Sequence, residues 1–176
     1  MRRQHTIQPM NAHGVRVRDA REDDIPHIAD IYDHEVAATT TTLDTQPMSL
    51  EERAAWFSRR DWARYPVAVA EIAGRVVGYG ELKPWSPRKG YARTAEVSLF
   101  VAVEARGAGA GRALLGELIA RGRAAGLGVL LSRIGGESAA SIALHGALGF
   151  RHLCTMERVG EKFGRLLDVE LFDFQL

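Results

Sequence analysis

The chain has a single cysteine, Cys154, among 176 residues, which excludes an internal disulfide and disfavours a cysteine-built metal site. A reducing, cytoplasmic setting is the expectation that follows. It has no excess of either charge. Lys and Arg number 23 against 22 Asp and Glu, for a net charge of +1, so there is no general electrostatic case for nucleic acid or a membrane surface. The basic residues are dispersed apart from Arg2-Arg3 and Arg59-Arg60, which read as solvated faces. No apolar run approaches the ~18 residues of a membrane span, and Met1 to Gly14 is polar without a signal-peptide core. Residues 1–14 are read as a flexible extension ahead of one domain, 15–176, long enough to bury a real core.

Two common phosphate motifs are also missing. A P-loop places Lys and Ser or Thr behind its last glycine, whereas here Arg112 and Ala113 follow Gly111. A dinucleotide fingerprint needs Gly-x-Gly-x-x-Gly. Counted from Gly107 its third glycine falls on Arg112, and counted from Gly109 it falls on Leu114. What is present is Arg106-Gly-Ala-Gly-Ala-Gly111, directly behind the apolar run Val97 to Val103 and leading into the helical start Arg112-Ala-Leu-Leu. Such a turn suits phosphate, because bare glycines let backbone N–H groups face inward and the helix N-terminus adds unpaired donors. An ordinary glycine-rich turn is the alternative.

The remaining sequence alternates between the two periods. Val15 to Arg18 reads as a strand, and Glu22 to Ala37 carries apolar residues at helical spacing. The four threonines from Thr39 break that pattern into a loop reaching Pro47. Ser49 and Glu52 form a capping box for a helix to about Ala63, with Trp56 and Phe57 inward. Tyr65 to Ile72 and Arg75 to Leu82 flank Ala73-Gly74 as a hairpin, and Thr94 to Val103 is the next strand. After the glycine turn come a helix ended by Gly126-Leu-Gly128, a buried strand Val129 to Ile134 and a short helix Ser138 to Leu148. A final antiparallel pair follows, Phe150 to Arg158 with Leu166 to Phe174. The order βααβββαβαββ predicts an α/β (α+β) fold: a mixed, mainly antiparallel sheet with helices on its faces. Strands 4 and 5 are its parallel neighbours, joined by a right-handed crossover and free to splay at one end.

Arg106-x-x-Gly-x-Gly111 resembles the pyrophosphate loop of the GNAT N-acetyltransferases. Glu96-Val-Ser-Leu-Phe-Val-Ala-Val-Glu-Ala-Arg106 and Ala140-Ser-Ile-Ala-Leu-His145-Gly-Ala-Leu-Gly-Phe150 are similar to the phosphinothricin and methionine sulfoximine acetyltransferases of that group. So are Thr40 to Pro47, Pro84-Trp85 with Arg88 and Tyr91, and Gly160 to Arg165. The similarity spans Val15 to Leu176.

The resemblance implies an acetyl-CoA-dependent transfer to the amine of a small amino-acid-like acceptor in a ternary complex, with no metal, and a homodimer. It places the CoA pyrophosphate on Arg106, Gly107, Ala108, Gly109, Ala110, Gly111 and Arg112, with Ser138 and Ala147 as further cofactor contacts. Leu99, Phe100 and Val101 would hydrogen-bond pantetheine through their main chain and offer an N–H to the thioester oxygen. Glu96 stands where the subfamily has its general base. An α-amino group has a pKa of about 7.7–8, so much of the acceptor arrives protonated and needs a group to take that proton. His145 stands where many relatives have a tyrosine near the sulfur. It reads either as an acid for the thiolate or as a hydrogen-bonded packing residue.

An arginine fork at Arg88 suits an acceptor α-carboxylate, with Lys89, Gly90 and Tyr91 as wall; an exposed basic loop is the alternative. Glu35, the threonine loop, Lys162 and Arg165 are further candidates by location, and Trp56, Trp62 and Trp85 are pocket walls or core. His27 and His34 find no third ligand for a metal. Cys154 has no paired base in register, which disfavours a covalent route. The chain departs from the family pattern at Ser138 (asparagine in close relatives), Val103 (proline), Leu166 (tryptophan) and the region of Leu43, and the last two bear on the acceptor. A CoA-binding module without turnover and an acetyltransferase of protein N-termini remain as rival readings.

Overall fold

Alternation along Val15–Asp19 buries Val15 and Val17 and leaves Arg16 and Arg18 half-covered, as a strand with one face on a core requires. In the computed structural model, which describes residues 14–135 and 137–176, this segment is strand β1. Of the expected extension 1–14, all but Gly14 lies outside the described residues. Helix α1 (Ile25–Ala38) follows a single 3-10 turn at Glu22–Asp24 and carries Pro26 in its first turn, where no N–H is needed.

Helix α2 (Leu50–Ser58) opens on the capping box: Glu52 N–H donates to Ser49 Oγ at 3.2 Å and Ser49 N–H to Glu52 Oε2 at 2.8 Å. It ends at Ser58 rather than near Ala63 because Arg60 turns back to the sheet. There Arg60 Nε donates to Tyr65 O at 3.1 Å and Nη1 to Glu81 Oε2 at 2.7 Å, with the guanidinium 5.0 Å from the Trp56 ring. Strands β2 (Val67–Ile72) and β3 (Arg75–Pro84) form the expected hairpin, whose two turn residues, Ala73 and Gly74, have φ of +49° and +79°.

Strand β4 (Thr94–Val101) is two residues shorter than expected. The Ala102 N–H crosses to Val77 O at 2.9 Å, and Val103–Ala105 winds into a 3-10 turn. Helix α3 (Ala110–Ala124), strand β5 (Val129–Gly135), helix α4 (Ala139–Ala147) and strands β6 (Arg151–Lys162) and β7 (Arg165–Gln175) complete the expected order. The sheet runs β1-β2-β3-β4-β5-β7-β6, so β7 inserts between β5 and β6 and leaves β6 at the edge. Among the described residues, β4 and β5 are the one parallel pair.

Two cores hold the sheet from either side. Leu114, Leu115 and Leu118 of α3 are fully buried against Ala68, Leu82 and Val97. Helix and sheet approach closely at Gly80, where a Cβ would stand 2.8 Å from Leu118 Cδ1. On the opposite face Ile28 and Ile31 of α1 meet Val67, Val69 and Tyr79, with Trp56, Phe57 and Trp62 around them.

The site is positioned by a break in the ladder between the parallel strands. They pair only at Thr94↔Val129, Ala95↔Leu130 and Glu96↔Leu131. Beyond that point β4 stays on β3 out to Gly78↔Val101, and β5 stays on β7 out to Gly135↔Val169. Each strand is held by its outer neighbour while the two part from one another, which opens a fork at the centre of the sheet.

Candidate active site

The fork opens into a slot of about 450 Å³. One wall is β4 from Val97 to Val101, the other is Ser132, Arg133 and Ile134 of β5, and the glycine turn closes one end. Gly107 and Gly109 have φ of +80° and +86°, the left-handed region in which an L side chain is strained. Gly109 is the N-cap of α3, and the first helical bond runs from Ala113 N–H to Gly109 O at 3.0 Å. The N–H groups of Ala110, Gly111 and Arg112 precede that bond and have no partner within the helix, which makes this end of the slot a place for an anion. Ser138, the N-cap of α4, and Ala140, Ser141 and Leu144 line it from the opposite helix.

A second cavity, about 610 Å³, adjoins the slot, and Thr41, Ser98, Phe100 and Arg133 border both. Strand alternation explains the division. Val97, Leu99 and Val101 turn toward α3, while Glu96, Ser98 and Phe100 turn toward α1 and α2 and line the second cavity. Thr42, Leu43 and Asp44 of the threonine loop form another wall with Trp56, Tyr32 and Met48. Tyr32 donates to Asp44 Oδ2 at 2.5 Å; burial, with that carboxylate second, pushes its pKa up. Arg53 pairs with Asp33 and lies 5.6 Å from the Tyr32 ring, while its buried Nε has no hydrogen-bond partner among the described residues.

Glu96 is 5% exposed, at the last rung before the fork. Two cations face its carboxylate. Arg133 donates from Nε to Oε1 at 3.1 Å and from Nη2 to Oε2 at 2.7 Å, and Lys83 Nζ lies 3.6 Å from Oε1. The Arg133 guanidinium rests 5.5 Å from the Trp85 ring.

His145 is 2% exposed and faces Ser132 across the slot floor. Its Nδ1–H donates to Ser141 O at 2.8 Å, since a carbonyl only accepts. That leaves Nε2 as acceptor for the Ser132 hydroxyl at 3.0 Å. Burial lowers the His145 pKa, with the Ser141 carbonyl opposing that shift, so the neutral ring with its proton on Nδ1 is the favoured form. With the Ser132 proton spent on Nε2, neither group has a proton to offer the slot, and the hydroxyl oxygen turns only lone pairs toward it.

Glu35 joins the two cavities structurally. Its buried carboxylate pairs with Arg106 and accepts from Thr39 Oγ1 at 2.9 Å and Thr41 Oγ1 at 2.7 Å. Lys162 Nζ donates to Glu35 O at 3.3 Å and Thr42 O at 2.9 Å, and burial lowers its pKa. These two side chains therefore pin the threonine loop. Arg165 pairs with Glu137 outside both cavity walls.

Of the residues singled out from sequence, Leu99, Phe100, Val101, Arg106, Gly107, Gly109, Ala110, Gly111, Arg112, Ser138 and His145 line the slot, and Glu96 lines the second cavity. Ala108 lies between the two left-handed glycines, its N–H on Ala105 O at 3.3 Å. Ala147 is not in the slot wall; it is exposed in the last turn of α4, beside the stripe formed by Ser141, Leu144 and His145. Arg88, Lys89, Gly90 and Tyr91 are exposed in a 3-10 turn between β3 and β4, outside both walls.

Sequence reasoning missed Lys83, Ser132 and Arg133. Lys83 reaches Glu96 only through the β3–β4 register, in which the two are direct partners. Strand 129–134 was expected to be buried, yet Arg133 is exposed, because the fork leaves that side of β5 without its parallel neighbour. The signal available was the polar pair Ser132-Arg133 inside an otherwise apolar run. Among the described residues no cluster of His, Cys, Asp or Glu is placed to hold a metal ion, and no helix is long and apolar enough to cross a membrane.

A forked mixed sheet, with a glycine turn and helix N-terminus at one end of the fork and a buried carboxylate at the other, defines a protein that brings a long phosphate-bearing molecule against a small polar one. The chain belongs to the acetyltransferase (GNAT) family, whose sequence profile matches residues 28–150. It is 42% identical over 161 residues to the L-methionine sulfoximine/L-methionine sulfone acetyltransferase of Pseudomonas aeruginosa, covering 91% of this chain and 94% of that one. A phosphinothricin acetyltransferase from Sinorhizobium meliloti, solved in complex with acetyl-CoA, superposes with a TM-score of 0.88 at 37% identity, covering 93% of this chain and 89% of that one. A ribosomal-protein-alanine N-acetyltransferase from Brucella melitensis superposes with a TM-score of 0.87 at 41% identity, covering 91% and 99% respectively.

Proposed function

We propose that this chain transfers the acetyl group of acetyl-CoA to the amine of a small amino-acid-like acceptor, of the methionine sulfoximine or phosphinothricin type, by direct attack. The observation that carries this reading is that one strand borders both cavities: a cofactor arm lying in the fork meets an acceptor on the Glu96 side at Ser98 and Phe100. The pyrophosphate takes the amides from Gly107 to Arg112, and pantetheine takes main-chain groups of Leu99, Phe100 and Val101 that face the fork. Glu96 accepts the proton that the attacking amine sheds as its nitrogen bonds to the thioester carbon. A β4 amide holds the oxyanion, the carbonyl re-forms as the C–S bond breaks, and the thiolate takes its proton from solvent, while the neutral His145 fixes Ser132 in the slot wall. Arg88 to Tyr91 stand outside both walls, so we assign the acceptor's acidic end to cations inside the cavity.

Residues 15–176 serve, in this reading, as one catalytic domain. A homodimer is part of the proposal, supported by apolar side chains exposed along the edge strand and its hairpin, Leu153, Val159, Phe163 and Leu166. A cytoplasmic location accords with the cofactor and the unpaired cysteine. The name of the Brucella relative favours a second reading, acetylation of a protein N-terminus. A cavity floored by a carboxylate and two cations suits a free zwitterion better than a peptide.

The test is CoA release with acetyl-CoA and methionine sulfoximine, methionine sulfone, phosphinothricin, proteinogenic amino acids, polyamines and an alanine-initiated peptide. Turnover confined to the amino-acid analogues, and reduced ~100-fold or more in Glu96→Gln, is the expected result. Turnover of the peptide alone establishes the second reading, and cofactor binding without turnover on any amine makes the chain a binding module.

A further inference from the structure

Glu96 presents a difficulty as a base. Both its oxygens are engaged by one arginine fork, at 3.1 and 2.7 Å, and a carboxylate held in this way offers its best lone pairs to the guanidinium rather than to an amine. The two partners are unequally fixed. The Glu96 side chain is 7% exposed and set on a central strand, whereas that of Arg133 is 49% exposed, borders both cavities, and rests on the Trp85 ring. The arginine is the partner that is free to move. When it does, Lys83 remains 3.6 Å from Oε1, so the buried carboxylate keeps one counter-charge.

From this arrangement we propose that Arg133 is an acceptor-operated latch on Glu96: the carboxylate of an incoming amino acid takes the guanidinium fork, and its departure frees Glu96 for the amine of the same molecule. The inference rests on the function proposed above and deepens it. It ties acceptor choice to catalysis, because a molecule with an amine but no acidic group leaves the fork where it is. Arginine suits the role because its planar fork matches one carboxylate as well as another, so the exchange replaces two charge-assisted hydrogen bonds with two of the same kind. The Trp85 ring gives the guanidinium a surface on which to pivot without entering water fully.

The experiment compares L-methionine sulfone with its carboxamide, which keeps the amine and side chain and removes the carboxylate charge. Wild type is expected to prefer the acid by roughly 10- to 100-fold in kcat/KM, the weight of one charge-assisted fork. In Arg133→Gln that preference collapses: kcat/KM for the acid falls by about the same factor, through KM as well as kcat, while kcat for the amide rises because Glu96 is no longer covered. Arg133→Lys, which keeps charge without the fork, falls between them. Equal losses on acid and amide, an amide left unchanged, or a preserved preference in Arg133→Gln, overturn the latch and leave the acetyltransferase reading intact. Failure of wild type to acetylate either compound or phosphinothricin overturns the reading of the acceptor as a methionine sulfone- or phosphinothricin-type amino acid, and the latch with it. Unchanged melting temperatures and acetyl-CoA affinity in both variants certify the comparison, and Arg133→Ala stands in should the glutamine variant fail to fold.

Discussion

His145 ties the stability of the molecule to pH in a direction that can be worked out from its surroundings. The ring is buried, packs 4.9 Å from Phe150, and spends Nδ1 on a carbonyl and Nε2 on a hydroxyl, so burial holds its pKa below the ordinary histidine value of about 6.5. Above pH ~6.5 the ring is neutral in both folded and unfolded chains and contributes no pH dependence. As pH falls below that value the unfolded chain takes up a proton that the folded ring refuses, and stability falls until the folded pKa is reached. The limiting slope is ~1.4 kcal/mol per pH unit for one proton, which caps the loss between pH 7.5 and 5.5 at about 1.4 kcal/mol.

Substitution of His145→Gln removes the titration and keeps an amide able to meet Ser132 and Ser141. Urea unfolding of both proteins, followed by circular dichroism at pH 7.5, 6.5 and 5.5, isolates the effect. Losses from altered packing and the titration of other groups are common to all three comparisons and cancel. The gap favouring wild type at pH 7.5 is expected to narrow at pH 5.5, by up to about 1.4 kcal/mol or on the order of 3–5 °C in melting temperature for a domain of this size. A gap that stays constant with pH, or widens on acidification, refutes the reasoning.

Two further substitutions test the backbone. Gly109→Ala places a Cβ at φ +86°, at a cost of about 1–2 kcal/mol; titration calorimetry is expected to show acetyl-CoA binding ~10-fold weaker or worse, with Gly146→Ala, on an open helical surface, leaving affinity unchanged. Ala73→Asn relieves an alanine at φ +49° in a two-residue hairpin turn where Asn-Gly is the favoured pair, and a thermal melt is expected to rise by roughly 2 °C with turnover unaltered.

The order of elements was legible in the sequence because each carries its own periodicity and its own stop signal, as Ser49 and Glu52 do at α2. Arg60 was not, since the partners that end that helix, Tyr65 in the bend before β2 and Glu81 in β3, lie beyond the helix along the chain. The glycine turn was legible because its requirement is local: two left-handed residues and a helix start. The surroundings of Glu96 were not, because Lys83 and Arg133 reach it through register across two different strand pairs, and strand register leaves no mark on composition. Ala147 stands off the slot-facing stripe, exposed in the last turn of α4, a placement set by the helix's rotation against the slot rather than by its own sequence. Arg88 lies in a turn whose direction depends on how β3 and β4 are joined, not on its own sequence.

Strand β4 divides three duties by direction: one set of side chains fills the core, the alternate set looks into the acceptor cavity, and the edge laid bare by the fork offers peptide groups alone. Under the proposed function this separates what may drift from what may not. Peptide groups are the same whatever residue carries them, so the hold on a pantetheine arm is indifferent to the identities at 99, 100 and 101. Leu43 and Met48, which border the acceptor cavity alone, can then be exchanged to suit a new amine without rebuilding the cofactor's seat. A lineage built on such a strand can change diet while keeping the same coin in its purse.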